Sequence, residues 1–288
     1  VRTTTLDEVI VVEKIVPGGR GFARLKDGRV ALVDGAFPGD RVRLPVLRDR
    51  KSHVEGDAEV LEVGTERREA PCSVATICGG CDFMQLPLEA QARFKLDLVH
   101  EALRRTARLD LPRGSIELVR RGSDLEYRSR IRLQIKAGRV GFFSARSHEL
   151  VEAERCVVSA EPIQRALALL RSHVRRHADA LSCFAHVEVR SAPGSERCSL
   201  AFATKPNERA SAASRKALDE LRSEFLVVVQ GDRGEPELER FPLGSVYVLA
   251  APGAFTQVNW AVNLALVEAV TEGARSRGLT TFSDLYCG

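Results

Sequence analysis

The sequence predicts a multidomain protein. A small all-β module comes first, then an α+β region with a cysteine-rich loop, then a helix leading to a short apolar strand. Three observations predict it. Turn-forming residues punctuate short β-branched runs in the first 66 residues, strand and helix patterns alternate from 127 to 250, and 288 residues accommodate two or three domains. A hydrophobic content of 44% suffices for packed cores and excludes global disorder. The longest apolar runs, such as 225–229, are far shorter than the ~20 residues that cross a bilayer. No apolar signal core follows a basic start, so a soluble, cytoplasmic, monomeric protein with no membrane partner is expected.

Residues 8–63 read as five short strands: 9–12, 22–25, 29–33, 41–48 and 53–63. Lys26-Asp27-Gly28 separates the second and third, and Asp-Gly is a strong hairpin signal. Pro38-Gly39 marks another turn. Val42, Leu44 and Val46 alternate with Arg41, Arg43 and Pro45, which gives that strand one apolar face. Such a set of strands with a glycine-rich first turn fits an OB-like barrel, a scaffold that often binds single-stranded nucleic acid. A purely structural β module is the alternative. Gly19-Arg20-Gly21 is not a dinucleotide fingerprint, because the third glycine is missing and a strand-like segment follows.

An irregular segment, 66–84, precedes a helix over 88–107 whose Ala92, Leu96, Val99 and Leu103 form an apolar stripe. Pro112 and Gly114 end it. Strands are expected at 130–136 and 139–143, then a helix over 160–179 capped by Ser159. Strands at 186–190 and 199–203, a helix over 208–221 and strands at 225–230 and 245–249 complete an α+β pattern. His173 and His177 stand four apart on the first of these helices. A zinc pair would need a third ligand and usually a Glu between them, whereas Val174-Arg175-Arg176 fills the gap, so a solvated helix face is expected. An amphipathic helix over 261–274 and a strand over 280–285 close the chain. The expected domains are 1–66, 67–250 and 251–288.

Charge and cysteines supply the functional clues. The net charge of +4 is uneven: residues 67–180 hold 21 basic and 14 acidic residues, a local +7. A basic surface suits a phosphate backbone, and a merely solvated arginine-rich surface is the alternative. The seven cysteines are Cys72, Cys78, Cys81, Cys156, Cys183, Cys198 and Cys287, an odd number that argues against a disulfide framework. Cys72, Cys78 and Cys81 lie within ten residues, with Gly79-Gly80 leaving room and backbone N–H groups for a bound centre. Cys156, at a junction between strands and helix, is the natural fourth thiol. Cys183 and Cys198 read as core residues on strands. Four thiolates bind zinc or an iron–sulfur cluster, and the three-plus-one spacing resembles cluster sites more than paired zinc knuckles.

Six segments in order together resemble the RNA (uracil-5-)-methyltransferase family, in particular its 23S ribosomal RNA branch with a 4Fe-4S cluster. The first is the β module 9–63, which looks like the family's TRAM domain. Arg68, Pro71, Cys72, Cys78-Gly79-Gly80-Cys81 and Gln85 match the cluster motif. Tyr127-Arg128-Ser129-Arg130-Ile131-Arg132-Leu133 resembles its YRxRxRL strand, and Gly141-Phe142 through Ser147 and Val151 leads to Cys156. Phe255-Thr256-Gln257-Val258-Asn259 matches FxQVN, and Asp284-Leu285-Tyr286-Cys287-Gly288 matches DLYCG.

The resemblance implies that Cys72, Cys78, Cys81 and Cys156 ligate a 4Fe-4S cluster of structural role. It implies that Gln257, Asp284, Tyr286 and Gly288 serve S-adenosyl-L-methionine. Residues 251–288 would begin a doubly wound α/β methyltransferase domain, whose ligands bind at the first β-to-α turn. Helix 88–108 is a candidate to pack on that domain. In the implied reaction a cysteine thiolate adds to carbon 6 of uracil and carbon 5 takes the methyl group. A carboxylate then removes the carbon 5 proton, and the thiolate leaves. The family carries that cysteine and glutamate beyond DLYCG, so residues 1–288 alone are expected to show little or no turnover. Arg128, Arg130 and Arg132 are candidate RNA contacts. Phe255 is a candidate to stack on a base, with core packing the weightier alternative. A transfer RNA uridine is the alternative substrate, and a non-catalytic RNA-binding module with a four-cysteine zinc site is the alternative function.

Overall fold

The computed structural model describes residues 2–281 and Ser283, which divide into two compact units at Leu118/Val119. In the first, strands β1 (Arg2–Val11), β2 (Lys14–Val16), β3 (Arg20–Arg24), β4 (Val30–Asp34), β5 (Arg41–Asp49), β6 (His53–Asp57) and β7 (Glu59–Glu62) form one sheet. Its order is β1-β5-β6-β4-β3-β2, with β7 also on β5, and every pairing is antiparallel except β4 with β6. The expected run 53–63 is broken at Ala58, whose N–H turns to the Asp34 carbonyl (2.9 Å). The Asp-Gly hairpin forms as read, with Gly28 at φ +86°. Alternate residues Ala23, Ala31, Val33, Val42, Leu44 and Val54 point into one core and are almost fully buried.

Gly39 and Gly64 come into backbone contact. A Cβ on Gly64 would stand 2.0 Å from the Gly39 carbonyl carbon, and Gly39 sits at φ +88°. Gly64→Ala is therefore expected to destabilise this unit by about 1–3 kcal/mol, read as a lower denaturation midpoint.

Helix α1 (Leu88–Ala102) follows and passes into a π-helical turn, Leu103–Ala107. Its buried face is not the predicted stripe. Ala90 and Phe94 are buried against Ile15, Phe37 and Leu86, with the Phe94 and Phe37 rings stacked at 6.5 Å, whereas Val99 is exposed. The helix carries apolar residues on two sides, and the aromatic partner selects the side that is buried. Lys14 Nζ also meets Glu101 at 2.9 Å, tying β2 to α1.

In the second unit, β8 (Arg130–Lys136), β9 (Arg139–Phe143), β10 (Leu150–Val151), β11 (Phe184–Arg190), β12 (Ser199–Thr204) and β13 (Leu226–Val229) form a sheet of order β10-β9-β8-β11-β12-β13. Helices α2 (Glu161–Arg176) and α3 (Ala212–Asp219) contribute Ile163, Leu167, Leu170, Val174, Ala217 and Leu218 to a core with Ile131, Leu133, Val187, Val189, Leu200 and Phe202. Helix α2 starts from Ala160 without a side-chain cap, so Ser159 is not the cap expected. Helix α3 starts later than expected, where Ser211 and Ser214 form a reciprocal capping box.

A hairpin of β14 (Glu239–Leu243) and β15 (Val246–Ala250) precedes α4 (Trp260–Ser276). Thr280, Thr281 and Ser283 are not in a strand, and the rest of the expected strand lies outside the described residues. No helix among the described residues is long and apolar enough to cross a membrane.

Candidate functional site

The cysteine loop belongs to the first unit. Its neck is closed where the Arg68 N–H donates to the Gln85 carbonyl (2.8 Å) and Arg68 Nε donates to the Met84 carbonyl (3.2 Å). Within it, the Ala75 N–H donates to the Cys72 carbonyl and the Cys78 N–H to the Val74 carbonyl (2.8 Å), a tight turn that carries the chain back. Cys72, Cys78 and Cys81 are all half-buried. Elsewhere, one ligand atom each from His173, His177 and Glu220 lies within 4.8 Å of the other two.

Cys156 belongs to the second unit, half-buried between β10 and α2 as expected, with its carbonyl accepting from the Ser159 N–H (2.9 Å). Cys183 and Cys198 lie immediately before β11 and β12, not within them. Cys198 is 2% exposed, and burial, reinforced by the charge of Glu239, pushes its thiol up to about 12. It remains a neutral core residue at physiological pH.

The arginine motif and the FTQVN segment meet in the second unit through the backbone. The Ser129 N–H donates to the Val258 carbonyl (2.8 Å), and its hydroxyl reaches the Gln257 and Val258 carbonyls (3.2 Å each). Arg128 bridges Ser159 on one side and Asn259 on the other. Ser129 is thus the staple between the two motifs. The sequence offered no signal for it beyond its place between two arginines.

Strand β8 begins at Arg130, so Arg128 lies before it with its Nε buried, whereas Arg130 and Arg132 share the sheet face opposite the core. Both reach the same Glu188 Oε2 (3.9 Å each). Two guanidiniums over one buried carboxylate leave this face positive. His186 stands opposite Gln134 on the same face, and its pKa is lowered by burial and by Arg132.

Phe255 is 75% exposed, and the Arg130 guanidinium lies 5.4 Å from its ring centroid. The core alternative for Phe255 is therefore wrong. The segment reaches its place because neighbouring groups, not this ring, are anchored. Gln257 projects from the segment as an exposed side chain, while Thr256 is buried. Asp284, Tyr286 and Gly288 lie outside the described residues.

An exposed aromatic ring, an exposed amide and two arginines on one edge can stack on a base, hydrogen-bond a polar ligand and contact phosphates.

Arg190, paired opposite Arg130, anchors this edge. It is fully buried, and its guanidinium donates to Glu239 (2.8 Å), to the Ala254 carbonyl (2.8 Å) and to the Ala251 carbonyl (2.5 Å). The sequence reading missed this residue, since a buried arginine on a strand has no pattern that distinguishes it from a solvated one.

No family model matches the chain. Individual proteins do. The 23S rRNA (uracil(1939)-C(5))-methyltransferase RlmD of Chromohalobacter salexigens is 32% identical over 96% of this chain and 61% of its own length. The enzyme of that name from Pseudomonas putida is 32% identical over 96% of this chain and 63% of its own length. An RNA methyltransferase of Aquifex aeolicus is 28% identical over 97% of this chain and 66% of its own length. The chain thus spans less than two thirds of the first and second of these relatives and about two thirds of the third. Its fold matches the crystal structure of Pyrococcus abyssi tRNA (uracil-54, C5)-methyltransferase in complex with S-adenosyl-L-homocysteine. That match has a TM-score of 0.64 at 20% identity and covers 92% of this chain and 64% of the other. Over nearly its whole length, this chain is a homologue of the 23S rRNA (uracil-5-)-methyltransferases.

Proposed function

We propose that this chain forms the RNA-binding and cluster-bearing part of an S-adenosyl-L-methionine-dependent methyltransferase acting on carbon 5 of a uridine in 23S rRNA. The observation that carries the reading is the Ser129 staple, which sets Arg130, Phe255 and Gln257 at one exposed edge. In this reading residues 1–66 are the TRAM module, 67–250 the central domain and 251–288 the start of the methyltransferase domain.

Gln257 contacts the cofactor, with Asp284, Tyr286 and Gly288 completing that contact. The cofactor supplies the methyl group. Arg130 and Arg132 hold RNA phosphates while Phe255 stacks on a base, which keeps an extruded uracil near Gln257. Cys72, Cys78, Cys81 and Cys156 ligate the 4Fe-4S cluster. The three-plus-one spacing of the cysteines along the chain supports a cluster over paired zinc knuckles. The chain is expected to bind RNA.

The test is filter binding of the chain to a 23S rRNA fragment across a salt series, with transfer RNA as competitor. Arg132→Ala is expected to lower the slope of log affinity against log salt by about 1. Phe255→Ala is expected to weaken binding by about 1–3 kcal/mol at every salt concentration. Undiminished binding by both variants would overturn the RNA edge, and preference for the competitor would move the substrate to transfer RNA. Anaerobic purification should yield iron and sulfide that Cys81→Ser removes, and zinc in their place would favour the non-catalytic module.

A further inference from the structure

We propose that His173, His177 and Glu220 form a binding site for a borderline divalent transition-metal ion of the zinc type, clamping α2 to α3. The spacing of the two histidines was set aside on the sequence because no third ligand accompanied them. The fold supplies one. Glu220 follows α3 directly, and its Oε2 lies 3.0 Å from His177 Nε2. One ligand atom from each of the three residues lies within 4.8 Å of the other two. A tetrahedral ion with bonds of about 2.0–2.1 Å separates such donors by about 3.3–3.4 Å, so small side-chain rotations would complete the site.

Three further features favour a cation here. His173 is 6% exposed and its buried Nε2 has no hydrogen-bond partner, an arrangement that a metal bond or a rotated ring would relieve. The His173 and His177 rings are 4.6 Å apart, close for two groups that would repel if both were protonated. His177 and Glu220 occupy the C-terminal caps of α2 and α3, where unpaired helix carbonyls favour positive charge. Of the three ligands, Glu220 alone brings a negative charge to balance the ion. Two imidazoles and one carboxylate suit zinc, nickel or copper ions better than calcium or magnesium, and three ligands leave one position for water.

The test is titration of the full chain with Co2+ in a thiol-free reductant, followed by visible absorption. A His/carboxylate site gives a ligand-field spectrum without the intense thiolate-to-metal charge-transfer band that the cysteine loop would give. The expected result is such a component, saturating at about one equivalent per chain and retained in Cys72→Ser. His177→Ala and Glu220→Gln alter groups at helix ends outside the core, so circular dichroism should stay unchanged while this component weakens at least tenfold. If Co2+ enters only with the charge-transfer band, or if both variants titrate like the parent, the site does not exist.

Discussion

Arg190→Ala should destabilise the second unit by about 3–5 kcal/mol, a fall in melting temperature of roughly 6–20 °C for a unit of this size. The guanidinium is fully buried and joins strand β11 to Glu239 of the hairpin and to the carbonyls of Ala251 and Ala254. Ser199 donates to the same Glu239 oxygen at 2.8 Å, and the guanidinium lies 5.3 Å from the Phe241 ring centroid. Alanine would leave a nearly buried carboxylate without its cation and two carbonyls without their donor, and would open a cavity beside Phe241. The loss should be local as well as global. Amide exchange in residues 246–258 should accelerate more than in β11 or β12, because Arg190 ties that segment to the sheet. Arg190→Lys should recover little, since one ammonium cannot span acceptors that a planar fork reaches. The double variant Arg190→Met/Glu239→Leu should be more stable than Arg190→Ala, because it leaves no unpaired charge. Equal stability of Arg190→Ala and the parent would show that the hairpin is held by its apolar contacts alone.

Much of this arrangement was legible in the sequence wherever the signal is local. The hairpin at Asp27-Gly28, the strand of alternating Val42 and Leu44, and the helix ending in Ser276 follow from short-range turn chemistry and periodicity. The motif order that pointed to RNA uracil methylation agrees with relatives aligned over 96% of the chain. What escaped the sequence is tertiary. Strand β14 was missed because Pro242 and charged Glu239 and Arg240 disguise it, although Leu243-Gly244-Ser245 before an apolar run was an available turn signal. The buried side of α1 is decided by Phe37, more than fifty residues before Phe94 in the chain. Glu220 lies 43 residues from His177, so no spacing rule on one helix could have joined them. Phe255 reads as core by residue type, but the backbone on both sides is fixed by Ser129 and Arg190, which lets the ring stand in solvent.

Asp40→Ala should cost the first unit a comparable amount, about 3–5 kcal/mol, and should loosen the cysteine loop before it unfolds the sheet. Asp40 is fully buried, and its carboxylate accepts from the Phe37 N–H (2.7 Å), the Gly64 N–H (2.9 Å) and Arg67. Arg67 also donates to the Thr65 carbonyl (2.7 Å) and lies 4.3 Å from the Phe37 ring centroid. One carboxylate therefore joins the turn before β5 to the stretch of chain that enters the neck at Arg68. Removing it strands the buried Phe37 N–H, the Gly64 N–H and a half-buried guanidinium. Asp40→Asn retains one acceptor oxygen and the side-chain shape, so it should fall between alanine and the parent. Limited proteolysis should cut within residues 65–85 faster in Asp40→Ala at denaturant concentrations where far-UV circular dichroism is still native. If that segment and the sheet lose structure together, the carboxylate supports the whole unit and has no separate hold on the neck of the loop.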